Sequence, residues 1–122
     1  MSSPDFQHLR LSMVQDVAVV EIRTRDLQGP MLARELSAEL ALVTAQEWAR
    51  RLLVDFRRVT YVSSTGFAAL FKLVSRARAE GREVKLCGMG SGVRLGAEII
   101  GLQKLVEIHD DEAAAMRTFA RA

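Results

Sequence analysis

The stretch Leu52-Leu53-Val54-Asp55-Phe56-Arg57-Arg58-Val59-Thr60-Tyr61-Val62-Ser63-Ser64-Thr65-Gly66-Phe67 decides the fold. Its first five residues are a short apolar run, read as a strand from Leu52 to Phe56. A polar loop follows and ends in three hydroxyl residues and a glycine. Phe67, Leu70, Phe71 and Val74 then recur at i, i+3, i+4 and i+7. That is the apolar stripe of an amphipathic helix running from Ser64 to Glu80. The hydroxyls therefore sit where a strand gives way to a helix. Backbone N–H groups at a helix start lack intrahelical partners, and Ser or Thr oxygens satisfy them. The same place faces solvent, within reach of another protein.

Outward from this stretch, the chain alternates strands and helices. Leu9, Leu11 and Met13 alternate with Arg10 and Ser12, and Val17 to Ile22 form a second, more apolar strand. Gln15 and Asp16 between them predict a tight hairpin. Residues 23–29 read as a charged loop. Pro30 suits the first turn of a helix whose face carries Leu32, Leu36, Leu40 and Val43. Gly81 ends the second helix, and Val84, Leu86 and Cys87 mark a fourth strand. After the Gly88–Gly92 turn, Val93, Ala97 and Ile100 line a short helix. Leu105, Val106 and Ile108 predict the last strand. Asp110, Asp111 and Glu112 place negative charge at the start of a final helix, anchored by Met116 and Phe119. This order predicts one α/β domain: a mixed central sheet of about five strands with about four helices, an antiparallel hairpin joined to parallel crossover units. Residues 1–7 are expected to be a flexible tail, and residues 8–120 the domain.

Composition excludes several classes. A chain of 122 residues suits one domain, and 49% apolar content argues against disorder. Net charge is only +2, from 17 basic and 15 acidic residues interleaved along the chain, and 6% are aromatic. Neither a basic stripe nor a base-stacking platform results, so direct nucleic-acid binding is not expected. One cysteine, Cys87, and two histidines cannot assemble an ordinary zinc site or an internal disulfide. No metal or cofactor is expected. No apolar run approaches the ~20 residues that span a bilayer, and the start lacks the pattern of a signal peptide. The expectation is a cytoplasmic protein without membrane insertion.

The order of elements, with Ser63-Ser64-Thr65-Gly66 opening a helix after the third strand, resembles the STAS domain of bacterial anti-sigma factor antagonists. The resemblance runs from Leu9 to Phe119. Its sharpest part is Leu53 to Gly66, where the family has an apolar strand, an acidic residue, a short loop and then Asp-Ser-Ser/Thr-Gly. A second match is Leu86-Cys87-Gly88 through Ile100-Gly101-Leu102. The family serine is phosphorylated by an anti-sigma factor that is also a serine protein kinase, and a phosphatase restores it. The resemblance implies a non-enzymatic binding protein with Ser64 as phosphoacceptor, ahead of Ser63 and Thr65. Ser63, Thr65 and Gly66 then shape the phosphosite loop. Two departures are visible. Ser63 stands where the family usually has Asp, and Ile22-Arg23-Thr24-Arg25-Asp26-Leu27 replaces the Gly-Glu-Leu-Asp often found in antagonists. STAS domains also serve as scaffolds in stress-signalling complexes and as accessory modules of transport systems. A non-phosphorylated module of that kind is the alternative.

Other residues are read beside these. Ser64 would also serve simply as a helix cap, and a phosphate there would find free N–H groups at the helix start. Arg57 and Arg58 are candidate partner contacts, or else solvated loop arginines. Lys72, Ser75 and Arg76 are candidate partner contacts on the exposed side of the second helix. Gly88 to Gly96 resembles a dinucleotide turn but lacks the third glycine, because Val93 stands there. Ser91 is expected to cap the helix that follows. Asp26 and Asp55 read as isolated carboxylates, His8 and His109 as surface or strand-end residues, and Trp48 as partly packed at the end of the first helix.

Overall fold

In the computed structural model, which describes residues 6–119, β1 (Leu9–Val14) and β2 (Val17–Ile22) pair antiparallel with Val14 opposite Val17. Gln15 and Asp16 take φ of 49° and 67°, the turn hand that matches strand twist. β3 (Asp26–Leu27) and α1 (Pro30–Thr44) follow, then β4 (Arg51–Asp55), β5 (Tyr61–Val62) and α2 (Ser64–Ala79). β6 (Glu83–Cys87), α3 (Ser91–Ile99), a 3-10 turn (Leu102–Lys104), β7 (Glu107–His109) and α4 (Glu112–Met116) complete the order.

The main sheet has the order β1-β2-β4-β6-β7, in which β2, β4, β6 and β7 run parallel to one another and β1 is antiparallel to β2. The expected mixed sheet of five strands with four helices is thus the architecture found. Alternation sends Ala18, Val20, Leu52, Val54 and Leu86 to one face, where they pack with Leu36 and Leu40 of α1 and Leu70 and Val74 of α2. Val17, Val19, Leu53 and Cys87 point to the other face and meet Ala115 of α4 and Phe119 beyond it. Burial of these apolar side chains explains why α1 and α2 form at all: isolated helices of this length are marginal in water without such a face.

Several expectations are corrected. Residues 23–29 are not all loop: β3 pairs in parallel with β5 to make a separate two-stranded sheet. On α2, Phe67, Leu70 and Val74 are buried, but Phe71 is only half-buried and Leu73 and Ala77 join the face instead. Ile100 follows α3 and is exposed. The last strand lies at Glu107–His109 rather than from Leu105, because the amides of Leu105 and Val106 turn back to the Leu102 carbonyl. Of the expected tail, residues 1–5 lie outside the described residues. Phe6 packs against the core, and the Gln7 amide donates to Glu39 Oε2 at 2.9 Å. The end of the expected domain, residue 120, is likewise outside them. His8 is buried, its ring bonded to Thr24 Oγ1 at 2.6 Å and Glu35 Oε1 at 3.2 Å. Trp48 is half-buried against the core, as expected, in the turn after α1.

Candidate functional site

The hydroxyl cluster is built by α2 starting against β3. Ser63 has φ −80° and ψ 171°, so it is the non-helical residue before the first turn. Its Oγ accepts from the Gly66 amide at 3.2 Å and donates to the Leu27 carbonyl at 3.2 Å. The Ser63 amide also donates to the Leu27 carbonyl, at 2.8 Å. Ser63, not Ser64, is therefore the helix cap. Ser64 is the first helical residue and Thr65 the second. Both are exposed, and neither hydroxyl is hydrogen-bonded among the described residues. Gly66 is buried directly against Leu27: a Cβ there would stand 2.5 Å from the Leu27 carbonyl oxygen.

This division of labour predicts unequal substitutions. Ser63→Ala is expected to destabilise the domain by about 1 kcal/mol through loss of the cap. Ser64→Ala is expected to stay within about 0.5 kcal/mol of wild type. Urea melts of the two variants check this. A larger loss for Ser64→Ala would place the cap one residue later.

Arg57 and Arg58 follow β4 and are exposed, but their charges are already engaged. The Arg57 guanidinium bonds Glu21 and lies 3.6 Å from Asp55 Oδ2, and Arg58 Nε lies 3.6 Å from Glu21 Oε1. Asp55 Oδ1 accepts from the Arg57 amide at 2.9 Å. Asp55 is thus not isolated, and Asp26 accepts from Thr60 Oγ1 at 3.1 Å. Both Glu21 and Asp55 are buried, and a buried carboxylate persists when paired and hydrogen-bonded. Glu21 is the member that reading by motif misses. A lone acid inside the apolar run of β2 is the signal the sequence offers. Gly88, at φ 77°, packs beside this pair, and a Cβ there would meet Asp55 Oδ1 at 2.6 Å. Cys87 is fully buried next to it. Burial first, and then the charge of Asp55, push its thiol up to about 12, so it stays protonated and unreactive.

The remaining candidates separate. Lys72 and Arg76 line a trough between α1 and α2, with Ala33, Arg34 and Ser37 across from them and Ala69 on the floor. Thr65 lines its end at the start of α2. Ser75 is exposed but outside the trough. Ser91 is the first residue of α3 and does not cap it; Gly90 holds that position without a side-chain bond. Among the described residues no group of three His, Cys, Asp or Glu side chains could hold a metal ion, and no helix is long and apolar enough to cross a membrane.

The family model for the STAS domain matches residues 18–115. The chain is 30% identical over 90 residues to BtrV of Bordetella bronchiseptica, a candidate anti-sigma factor antagonist, covering 74% of this chain and 77% of that one. Its fold is similar to that of a candidate anti-sigma factor antagonist of Thermotoga maritima, with a TM-score of 0.77, 14% identity, and 91% and 93% of the two chains covered. It is also similar to the phosphorylated form of the Bacillus cell fate determinant SpoIIAA. There the TM-score is 0.66 at 16% identity, over 91% of this chain and 99% of that one.

Proposed function

The chain belongs to the STAS domain family, and on that premise we propose that it is an anti-sigma factor antagonist switched by phosphorylation of Ser64. In this reading the unmodified domain binds a cytoplasmic anti-sigma factor that is also a serine kinase. Phosphorylation releases it, and a phosphatase resets it. The work is binding rather than catalysis.

The observation that carries the reading is the split between adjacent serines. Ser63 spends its hydroxyl on the helix and on Leu27, whereas Ser64 presents a hydroxyl with no internal duty. Asp is as good a cap as Ser. Ser63 in place of the family's Asp therefore keeps the helix start and changes only the charge beside the acceptor. A phosphate on Ser64 would bring about two negative charges to the positive end of α2, where the first amides lack intrahelical partners. The domain would tolerate the group while a partner surface fitted to a neutral hydroxyl would not.

The test pairs the purified chain with the anti-sigma kinase of its own organism, with and without ATP, and maps the phosphate by mass spectrometry. Modification at Ser64 is expected. Ser64→Ala should bind with or without ATP. Ser64→Asp should bind at least about tenfold more weakly, a difference of about 1.4 kcal/mol. Equal binding by wild type, Ser64→Ala and fully phosphorylated protein would replace this reading with that of a constitutive scaffold. A phosphate on Ser63 or Thr65 would move the switch.

A further inference from the structure

The trough between α1 and α2 is assigned no role by the family motif. Thr65, Ala69, Lys72 and Arg76 recur at helical spacing along α2, and Pro30, Ala33, Arg34 and Ser37 face them from α1. Ala33, Ala41, Ala68 and Ala69 line it together with the buried Leu40 and Leu73, so its floor is apolar and largely of small side chains. Three exposed cations, Arg34, Lys72 and Arg76, stand along it, and no acidic side chain lines it. None of the three forms an ion pair among the described residues. The acids of α1 are used elsewhere: Glu35 bonds the His8 ring, and Glu39 accepts the amides of Gln7 and His8. This contrasts with Arg57 and Arg58, whose charge is answered within the fold.

We propose that this trough seats an acidic amphipathic segment of the partner protein, with small or apolar side chains on the alanine floor and Asp or Glu side chains toward Arg34, Lys72 and Arg76. Unanswered like charges flanking an apolar floor favour a partner of opposite sign, which sets both register and association rate. The floor has no aromatic side chain on which a base could stack, so a nucleic acid is the poorer fit. The link to regulation rests on the reading of Ser64 as the switch. Thr65 lines the trough at the start of α2, so a phosphate on the neighbouring Ser64 would put negative charge beside that end and would repel the acidic segment.

The experiment is a heteronuclear NMR titration of the whole chain. The probe is a synthetic helical peptide of about 18 residues, long enough to hold a helix, with Glu on one face and Ala and Leu on the other. Its twin carries Lys for Glu, and a short single-stranded oligonucleotide is the third arm. Saturable shifts are expected in residues 33–37 and 68–76 with the Glu peptide, weakening as salt rises. Arg34→Glu combined with Lys72→Glu should weaken binding roughly tenfold, and the milder Arg34→Gln with Lys72→Gln by less. Both pairs replace exposed residues, and a dispersed spectrum verifies their fold. Absence of shifts in the trough, equal shifts with the Lys twin, or tighter binding of the oligonucleotide would overturn the proposal. No kinase or ATP enters the titration, so its failure is distinguishable from failure of the Ser64 switch.

Discussion

Phe56→Ala is expected to lower the unfolding free energy by about 3–5 kcal/mol, the range for deleting a fully buried aromatic side chain. Phe56 is the largest of the fully buried side chains, with 0% exposure. It sits just past the end of β4, where its amide donates to the Cys87 carbonyl at 2.9 Å and its carbonyl accepts from the Val59 amide at 2.9 Å. The backbone is thus held from both sides and cannot collapse freely into the space left behind. A site that cannot collapse keeps its cavity, and the penalty grows with cavity volume. The loss is also expected to loosen the loop that carries Arg57 and Arg58 into their pairs with Glu21 and Asp55. Lys72→Ala, at an exposed position, provides the contrast and should shift stability by less than about 0.5 kcal/mol. Urea melts with a common slope would give both numbers. A cost below about 1 kcal/mol for Phe56→Ala would mean that the core between β4 and α2 is not packed as described.

The elements legible in the sequence are those whose stability is local in pattern. β2, β4, α1 and α2 are long enough for several apolar residues to recur at one period. β3 and β5 are two residues each, and no period exists in two residues. They form only because Leu27 and Val62, 35 positions apart, come into register. His8 misleads for the same reason: its partners Thr24 and Glu35 are 16 and 27 residues away. The sequence points to a cap one residue late because Ser63, Ser64 and Thr65 are all competent caps by chemistry. Only the extended backbone of Ser63 decides which one serves. The trough is not legible in the sequence because Arg34 and Lys72 lie on different helices, and neither Ala33 nor Ala69 signals a groove until the helices are set side by side. On α3 the apolar residues outnumber what the core takes: Val93 and Ala97 are buried, while Leu95 and Ile99 face solvent.

Gly66→Ala sets two physical effects against each other, so its sign is informative. Gly66 lies in the first turn of α2, and helix propensity alone favours Ala over Gly by up to about 1 kcal/mol. The local geometry opposes this. The new Cβ would stand 2.5 Å from the Leu27 carbonyl oxygen, 3.3 Å from its carbon and 3.0 Å from Val62 Cγ1. The first two atoms are backbone and cannot rotate away. Relief requires β3 to move off the start of α2, and that same carbonyl accepts both the amide and the hydroxyl of Ser63. Overpacking of this kind costs about 1–3 kcal/mol, and each hydrogen bond lost adds about 1. The net expectation is a destabilisation of about 2 kcal/mol or more, with the steric effect outweighing propensity. Thermal and urea unfolding of Gly66→Ala give the sign directly. A gain in stability would mean that β3 sits further from α2 than the distances to Leu27 indicate. The glycine of the motif is then accounted for by packing. It lets a two-residue strand lie against a helix start closely enough for Ser63 to tie them together, which leaves the next serine turned outward.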